Sequence, residues 1–341
     1  MKAAIRQGSL LWRPHFGFSD DFPKPKLTQP NHVLLKVLAA SINPVDYKLP
    51  RPIGGKVYGI DVCGQVVEVG SGVTNWKVGD VVFGQSASGS MAEYCLAGTN
   101  EIARVPDDYL TPVQAAALPV AYLTAVTGWN RVGLVNIMDG SAAVATAAIV
   151  PDCMIIVGAS GGCGLAASQL ARGLGVKRIV GICSAKNASY VTSVGGITEV
   201  LDYNDEAAMK EFAAANAGKI DHIYDTASYS GHGEDYNEWS LKLLKKDTGS
   251  YVALNGKVGK FLYFMVFGGR GFRDRRQTLH IAKFSTQGLD VVMELLSKST
   301  LKPDVQVMEF SKEGCECGLE LLRSRRTKGK IVFDVSKSHG H

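Results

Sequence analysis

The sequence predicts an α/β protein in which a doubly wound parallel sheet is joined to a β-rich domain. Between residues 153 and 254, short apolar runs alternate with segments of helical pattern, which is typical of a parallel sheet with helices on both faces. A glycine-rich turn joins the first of these runs to the first helix. Before residue 110, short strand-like runs are separated by glycine and proline turns, which predicts a compact barrel-like domain.

Composition limits the class of protein. The chain has 341 residues, enough for two domains, and its 46% apolar and 20% charged residues are ordinary for a globular protein. A net charge of +5 does not argue for nucleic-acid binding, and we interpret the basic run at 270–276 as a solvated loop. Seven cysteines without a C-x-x-C pair predict free thiols in a reducing compartment, and hence a cytoplasmic location. No leader pattern is expected, and the longest apolar run, at 142–150, is too short to span a bilayer.

The order of helices and strands can be predicted along most of the chain. Thr111 and Gln114 form a capping box around Pro112, which predicts a helix start, and Pro119 separates that helix from the next one. Strands are predicted at 32–41, 61–69, 78–84, 92–96, 154–157, 178–183, 199–201, 221–225, 250–254, 305–310 and 330–335. Further helices are predicted at 164–174, 188–194, 206–215, 239–245, 287–298 and 313–323.

The stretch MIIVGASGGCG at 154–164 is the most informative part of the chain. Its apolar residues predict a buried strand, its four glycines predict a tight turn, and the following LAASQLARGL predicts a helix that ends at Gly175. In this context glycines let the backbone approach a pyrophosphate, and the first helical N–H groups point at its charge. The spacing is G-x-x-G-x-x-G rather than G-x-G-x-x-G. We therefore predict a dinucleotide site; the alternative is a turn that only packs the helix on the sheet.

The segment after the second strand of this region indicates which dinucleotide binds. An NAD site usually places an acidic residue there, about 20 residues past the turn, to accept from the ribose 2′-OH. This chain has Ser184 and Lys186 instead, and Tyr203 follows the next strand. A hydroxyl and an ammonium suit a 2′-phosphate, and Tyr203 supplies a further donor. The sequence therefore predicts NADPH as the cofactor; the alternative for Lys186 is a solvated loop lysine.

Ordered motifs along the whole chain carry a family resemblance. They are SINPVDYK at 41–48, GIDVCG at 59–64, Val69-Gly70, Gly79-Asp80, AALP at 116–119, LTA at 123–125, the glycine turn, LDY at 201–203, YDT at 224–226 and GKIV at 329–332. With them the chain resembles the zinc-independent, zeta-crystallin-like quinone oxidoreductase branch of the medium-chain dehydrogenase/reductase superfamily. The resemblance implies a GroES-like catalytic domain, formed by 1–124 and 287–341, around an NADP-binding domain of the Rossmann type at 125–286. It also implies a homodimer or homotetramer.

The same resemblance assigns roles to individual residues. The implied cofactor contacts are Asn43 and Thr124 at the nicotinamide, Ser160, Gly161, Gly162 and Cys163 at the pyrophosphate, Ser184, Lys186 and Tyr203 at the 2′-phosphate, and Leu254 and Lys330 further along the cleft. Tyr47 and Lys48 are the polar groups expected nearest the hydride face, where either could hydrogen-bond a substrate oxygen or donate a proton. The alternatives for these two are a packing tyrosine at a domain edge and a surface lysine.

No metal site is predicted. Zinc-dependent relatives place a cysteine in the segment matching 43–46 and a His-Glu pair in the segment matching 60–61, whereas this chain has Asn43, Ile60 and Asp61. A catalytic zinc needs three protein ligands and an open position, and the sequence offers no such set. Without a metal, the expected substrates are molecules that already accept hydride, namely quinones and α,β-unsaturated carbonyls, reduced with NADPH.

A second class of function stays open at this point, a non-catalytic NADPH-binding protein with a structural or RNA-binding role. The presence of Asn43, Thr124 and Lys186 and the mild net charge favour the enzyme. Neither a membrane nor a nucleic acid is expected as a partner. Three segments depart from the usual pattern of the family, at 50–58, 132–150 and 229–238. The aromatic run at 261–267 could wall an apolar substrate pocket, form an oligomer contact or belong to the core.

Overall fold

The computed structural model describes residues 1–8, 15–48, 54–106, 109–137, 150–230, 234–257, 259 and 276–338. The chain forms two compact units. Unit 1 comprises Met1–Val120, Phe284–Leu289 and Pro303–His341, and unit 2 comprises Ala121–Lys283 and Asp290–Lys302. Most of the helix predicted near 287–298 thus groups with unit 2. The domain division implied by the resemblance, with limits at 124 and 287, stays a prediction.

The described residues contain the predicted strands and helices in the predicted order, together with four strands and one α-helix that the sequence does not predict. The strands are β1 (Ala3–Gln7), β2 (His15–Ser19), β3 (His32–Ser41), β4 (Asp61–Val69), β5 (Val81–Gln85), β6 (Tyr94–Gly98), β7 (Ile102–Arg104), β8 (Cys153–Val157), β9 (Arg178–Cys183), β10 (Glu199–Asp202), β11 (His222–Asp225), β12 (Ser250–Ala253), β13 (Gln277–Leu279), β14 (Val305–Glu309) and β15 (Lys330–Asp334). The helices are α1 (Pro44–Lys48), α2 (Pro112–Ala115), α3 (Pro119–Arg131), α4 (Gly162–Leu174), α5 (Ala188–Gly195), α6 (Glu206–Asn216), α7 (Asn237–Leu243), α8 (Thr286–Ser299) and α9 (Lys312–Ser324). Short 3-10 helices cover Ala185–Asn187 and Ser336–Ser338.

Unit 1 is the β-rich unit. Its main sheet has the order β14-β15-β3-β4-β5-β7, and β6 pairs with β3. Only the β14–β15 pairing in it is parallel among the described strands. Leu35, Val37 and Phe333 are fully buried in its core. The capping box predicted at Thr111 is confirmed, because the Thr111 side chain accepts from the Gln114 N–H while the Gln114 side chain accepts from the Thr111 N–H.

Unit 2 is the parallel sheet with helices. Its six described strands have the order β10-β9-β8-β11-β12-β13, and every pairing is parallel. The strands are buried on both faces, so they occur in the sequence as continuous apolar runs such as CMIIV in β8. Gly175 ends α4 in the left-handed conformation, with φ 92°, as the sequence predicts. The predicted doubly wound α/β fold is confirmed.

Two predicted bounds are corrected for identifiable reasons. β5 begins at Val81 rather than at 78, because Gly79 adopts φ +98° and the Asp80 N–H donates to the Lys77 carbonyl in a turn. α7 ends at Leu243 rather than at 245, because Leu244 pairs with Ile220 in a parallel bridge instead of continuing the helix.

Several predictions fall on parts of the chain that the structure does not describe. These are the aromatic run at 261–267, all but the last residue of the basic run at 270–276, and parts of the atypical segments at 50–58, 132–150 and 229–238. Within the described ranges, none of the helices combines the length and the apolar character needed to cross a membrane.

Candidate functional site

The turn between β8 and α4 begins a helix whose N-terminus has no side-chain cap. Gly161 is the N-cap residue, with φ −81° and ψ 165°, and no side chain accepts from the first turn. The first N–H groups of a helix have no partner within the helix and form the positive end of its dipole. The turn therefore presents donors suited to an anion.

Packing within the protein requires some of the glycines of this turn but not all of them. Gly158 has φ +80°, and a Cβ there would lie 2.5 Å from Thr226 Oγ1. A Cβ at Gly164 would lie 2.2 Å from the Gly158 carbonyl oxygen, so packing within the protein requires both glycines. Gly161 has a φ that any residue adopts, and its Cβ would meet the Gly158 oxygen at an ordinary 3.6 Å. The described neighbours thus leave open the space over Gly161.

This open turn lies where the order of the sheet reverses. β8 lies between β9 and β11, and the later strands extend from β9 to β10 on one side and from β11 to β13 on the other. In doubly wound sheets, ligands bind outside the carboxyl ends of the strands at such a point. Leu254 follows β12 at the same edge, and its N–H donates to the carbonyl of Asp225 at 3.0 Å.

The predicted 2′-phosphate residues follow two neighbouring strands. Ser184 and Lys186 come directly after β9, and Tyr203 follows β10. Lys186 and Tyr203 are exposed, whereas Ser184 is half-buried. The carboxylate of Asp202 has a lowered pKa, mainly because it accepts from the Asn204 N–H, and the Ala185 N–H adds to the effect. The Asp202 carboxylate therefore lies near the start of the segment that carries Ser184 and Lys186.

Asn187 is a residue of this region that sequence reasoning missed. Its Nδ2 donates to Ser160 Oγ at 3.2 Å and to Ser184 Oγ at 3.3 Å. The amide therefore joins the pyrophosphate turn to the segment after β9. In the sequence Asn187 has only the local signal of a helix N-cap, and its contact with Ser160 spans 27 positions, so no local pattern indicates it.

The remaining predicted residues of unit 2 lie on its helices. Cys163 is half-buried in the first turn of α4. Burial raises the pKa of the Tyr224 phenol, and the neighbouring Cys163 thiol raises it further. Thr124 is a buried residue of α3.

Unit 1 brings two of the predicted cofactor residues, Asn43 and Lys330, into one buried cluster with Asp61. Asn43 Nδ2 donates to Asp61 Oδ2 at 2.8 Å, and Lys330 Nζ donates to Asn43 Oδ1. Lys330 Nζ also lies 3.3 Å from Asp61 Oδ2, and the other oxygen of Asp61 accepts from the Val120 N–H at 2.9 Å. The lysine charge is thus compensated inside the unit, and the amide of Asn43 is held in one orientation.

Asp46 fixes the start of the helix that carries Tyr47 and Lys48. Its Oδ2 accepts from the Asn43 N–H at 2.7 Å, and the buried Arg6 donates to its carbonyl at 2.6 Å. Burial raises the pKa of the Asp46 carboxyl to about 7; Asp61 adds to the rise, while the Asn43 N–H, Arg6 and Lys330 oppose it.

Tyr47 and Lys48 lie near two arginines at the C-terminal end of α9. The guanidinium of Arg323 lies 5.6 Å from the centre of the half-buried Tyr47 ring. Lys48 is exposed as a residue, but partial desolvation of its ammonium lowers its pKa, and the nearby Arg325 lowers it further. A lysine with a lowered pKa is a stronger acid than a free one, which favours Lys48 as a proton donor.

Within the described ranges, no group of three or more His, Cys, Asp or Glu side chains could hold a metal ion. In unit 1 the positions matched to zinc ligands hold the amide of Asn43 and the carboxylate of Asp61, both bonded to the ammonium of Lys330.

Comparison with known proteins places these features in a family. Residues 29–115 match the family described as alcohol dehydrogenase GroES-like domain, and residues 195–333 match the family described as zinc-binding dehydrogenase. The chain is 34% identical over 218 residues to a chloroplastic quinone-oxidoreductase homolog of Spinacia oleracea, an alignment that covers 60% of this chain and 61% of the relative. It therefore spans about three fifths of the length of that relative.

Two further similarities extend over nearly the whole chain. The mitochondrial NAD(P)H oxidoreductase RTN4IP1 of Bos taurus is 29% identical, with 93% of this chain and 85% of that protein aligned. The structure of the quinone oxidoreductase from Coxiella burnetii superposes with a TM-score of 0.73 at 26% identity and covers 98% of this chain and 99% of that one. These matches confirm the predicted resemblance of the chain to the quinone oxidoreductases of the medium-chain dehydrogenase/reductase superfamily.

Proposed function

We propose that this protein is an NADPH-dependent reductase of quinones or α,β-unsaturated carbonyls that needs no metal. The observation that carries the proposal is the open space over Gly161 at an uncapped helix N-terminus, at the point where the sheet order reverses. A pyrophosphate that approaches this backbone closely accounts for a glycine that the described packing does not require. The related proteins named for NAD(P)H and quinone chemistry support the same class of reaction.

The preference for NADPH is supported by the chemistry of the segment after β9. That strand ends at the buried Cys183 and is followed by Ser184, with no acidic residue to accept from a ribose 2′-OH. The exposed ammonium of Lys186 is a point charge that can approach a 2′-phosphate, and Ser184 and Tyr203 supply hydroxyl donors.

When bound, the nicotinamide supplies the hydride. The role of the protein is to orient the substrate and to stabilise the negative charge that develops on its oxygen. We assign that second role to Tyr47 and Lys48, because one offers a phenol and the other an ammonium whose pKa is lowered by partial desolvation and by Arg325. No Lewis acid is required, since a quinone or an enone already accepts hydride.

The cofactor assignment is tested by titrating purified protein with NADPH and NADH, followed by turnover assays on a panel of quinones and enals. Lys186→Ala should raise the dissociation constant of NADPH about tenfold or more and leave that of NADH nearly unchanged, because a charge-assisted contact is lost only with NADPH. Lys177→Ala removes another exposed lysine, at the opposite end of β9, and should change neither constant. Equal affinity of the parent for both cofactors would refute the NADPH assignment.

Turnover assays distinguish the proposed reductase from a non-catalytic protein. NADPH binding without turnover of any quinone or enal would favour a non-catalytic NADPH-binding protein. Dialysis against a chelator should leave both turnover and melting temperature unchanged, and a stoichiometric zinc lost together with activity would contradict the metal-free chemistry. The homodimer or homotetramer and the cytoplasmic location stay predictions, and the relatives named above include chloroplastic and mitochondrial proteins.

A further inference from the structure

Asn187 occupies the N-cap position of α5 without capping it. Asparagine is among the best N-cap residues because its side-chain oxygen accepts from the N–H groups of the first turn, a contact worth about 1 kcal/mol. Here the side chain makes no capping hydrogen bond. Instead it is turned toward the glycine turn of the same unit, where Nδ2 contacts both Ser160 Oγ and Ser184 Oγ. The 3-10 helix Ala185–Asn187 runs directly into α5, so the Asn187 side chain is left to contact two residues that we assign to the cofactor.

The two contacts determine what the serine hydroxyls can do. A hydroxyl has one hydrogen to donate and two lone pairs to accept with. At Ser160 and at Ser184, one lone pair is taken by Asn187, and neither hydroxyl donates a hydrogen bond within the described part of the chain. Both O–H groups are thus free to donate to an anion.

The carbonyl end of the same amide has no donor among the described residues. Asn187 Oδ1 is buried and accepts no hydrogen bond there, so the orientation of the amide depends on the two serine contacts of Nδ2. The backbone adds rigidity, because the Asn187 N–H donates to the Ser184 carbonyl at 2.9 Å.

We propose that Asn187 is a positioning residue for NADPH, which fixes the Ser160 hydroxyl to donate to the pyrophosphate and the Ser184 hydroxyl to donate to the 2′-phosphate. The inference rests on the proposed function, since it assumes that this turn and the segment after β9 bind those two phosphates. Asn187 joins the two subsites, so it sets part of the preference for NADPH over NADH through Ser184. Lys186 supplies charge to the same phosphate, whereas Asn187 acts only through hydroxyls.

The readout is the dissociation constant of adenosine 2′,5′-bisphosphate divided by that of 5′-AMP, which isolates the 2′-phosphate. Ser184→Ala and Asn187→Ala should each weaken this preference about threefold to tenfold, because the first removes a hydrogen bond to the phosphate and the second leaves the Ser184 hydroxyl that makes it unpositioned. The preference for the bisphosphate in the double variant should be no lower than in Ser184→Ala alone, because Asn187 acts through the Ser184 hydroxyl. Ser193→Ala, on the exposed part of α5, should leave the preference unchanged.

Asn187→Asp separates positioning from helix capping. Aspartate has the same shape and caps helices as well as asparagine does, so a helix-capping role of this position would be kept in the variant. Its carboxylate cannot donate to either hydroxyl, so it would instead accept from them and add a negative charge beside the phosphates. We expect the preference for the bisphosphate to be lost in this variant.

The outcomes distinguish this inference from the proposed function. The positioning role is refuted, while NADPH binding stands, if the double variant loses as much preference as the product of the losses in Ser184→Ala and Asn187→Ala. The same conclusion follows if Asn187→Asp binds the bisphosphate like the parent. If the parent binds both adenosine probes equally, the NADPH assignment itself fails. In that case the Ser160 contact is still tested, because Asn187→Ala should weaken NADH and add nothing to the effect of Ser160→Ala.

Discussion

Lys330 and Asp61 form a buried ion pair, with Lys330 Nζ 3.3 Å from Asp61 Oδ2 and side chains that are 8% and 0% exposed. Asn43 lies against both partners, donating to the carboxylate and accepting from the ammonium. A buried pair of this kind is stable only when further hydrogen bonds satisfy both charges. Here Ser41 Oγ and the Val120 N–H supply them to Asp61, and the carbonyl of Ile42 accepts from Lys330. The cluster therefore fixes the orientation of Asn43.

The ion pair predicts a large cost for removing one partner. Lys330→Met leaves the carboxylate of Asp61 buried without its counter-charge and should lower the free energy of unfolding by about 3–5 kcal/mol. Adding Asp61→Asn removes that charge, so the double variant should recover part of the loss. The measurement is urea or thermal unfolding of the three proteins.

Lys337 provides the matched control for this prediction. Its ammonium lies 3.5 Å from Asp334 Oδ2, but its side chain is 84% exposed, and surface pairs contribute only about 0–1 kcal/mol. The free energy of unfolding of Lys337→Met should therefore be almost the same as that of the parent. Equal losses in the two methionine variants would show that burial of the Lys330–Asp61 pair does not matter.

Asp46 predicts how stability depends on pH. Its pKa is raised to about 7, chiefly by burial, whereas an aspartate in the unfolded chain titrates near about 3.9. Between these values the folded protein keeps a proton that the unfolded chain has lost, so stability falls as pH rises, by about 1.4 kcal/mol per unit. The stability that the protonated Asp46 contributes is fully present below about pH 4 and is lost above about pH 7.

Asp46→Asn isolates this effect, because the amide keeps the shape of the acid and does not titrate. The melting temperature of the parent minus that of Asp46→Asn should fall steadily from pH 4.5 to pH 7 and then level off. Asp247→Asn removes an exposed aspartate and should track the parent across the same range. A difference that rises with pH would mean that Asp46 is ionised in the folded protein.

Substitution by alanine is expected to have opposite effects on folding and on NADPH binding at Gly161 and at Gly164. A Cβ at 164 would lie 2.2 Å from the Gly158 carbonyl oxygen, so Gly164→Ala should shift the turn and lower the melting temperature. A Cβ at 161 meets the protein only at 3.6 Å, so Gly161→Ala should fold like the parent. It should nevertheless bind NADPH at least tenfold more weakly, because the methyl group enters the space assigned to the pyrophosphate. Calorimetric titration checks this, and undiminished binding by Gly161→Ala would remove the observation on which the proposed function rests.

The sequence predicts unit 2 well because its signals are local. Buried parallel strands occur as apolar runs, and Gly175 and Gly196 end helices in left-handed conformations that favour glycine. The bounds of α4, α5 and α6 are accordingly predicted to within two residues. The early end of α7 has a tertiary cause, the pairing of Leu244 with Ile220, which no local pattern contains.

The candidate site is predicted only in part, for the same physical reason. Motif spacing finds the glycine turn and the segment of Ser184 and Lys186. The contact between Lys330 and Asn43 spans 287 positions, and the bond from Asn187 to Ser160 spans 27. Such pairings depend on how the sheets assemble. The local preference of Asn187 even predicts a different contact, an N-cap hydrogen bond that it does not make.

Lys48 and Tyr47 predict different pH behaviour of the reaction. Both are assigned to the oxygen that gains negative charge when hydride arrives, and one positioned donor can be worth about 2.7–4 kcal/mol, or roughly a hundredfold or more in kcat. Tyr47→Phe and Lys48→Ala should therefore lower kcat with a quinone or an enal while NADPH binding is kept. Lys312→Ala, which removes an exposed lysine at the start of α9, should leave kcat unchanged.

The pH dependence of kcat distinguishes which of the two donates the proton. If its ammonium is the donor, kcat falls as pH rises through the pKa of Lys48, at a lower pH than an ordinary lysine would give. Tyr47→Phe should keep this fall and Lys48→Ala should abolish it. Arg325→Ala should move the fall to higher pH, because the nearby guanidinium contributes to lowering the pKa of Lys48. If instead both single variants and the double variant turn over like the parent, the group that stabilises the substrate oxygen lies elsewhere in the chain.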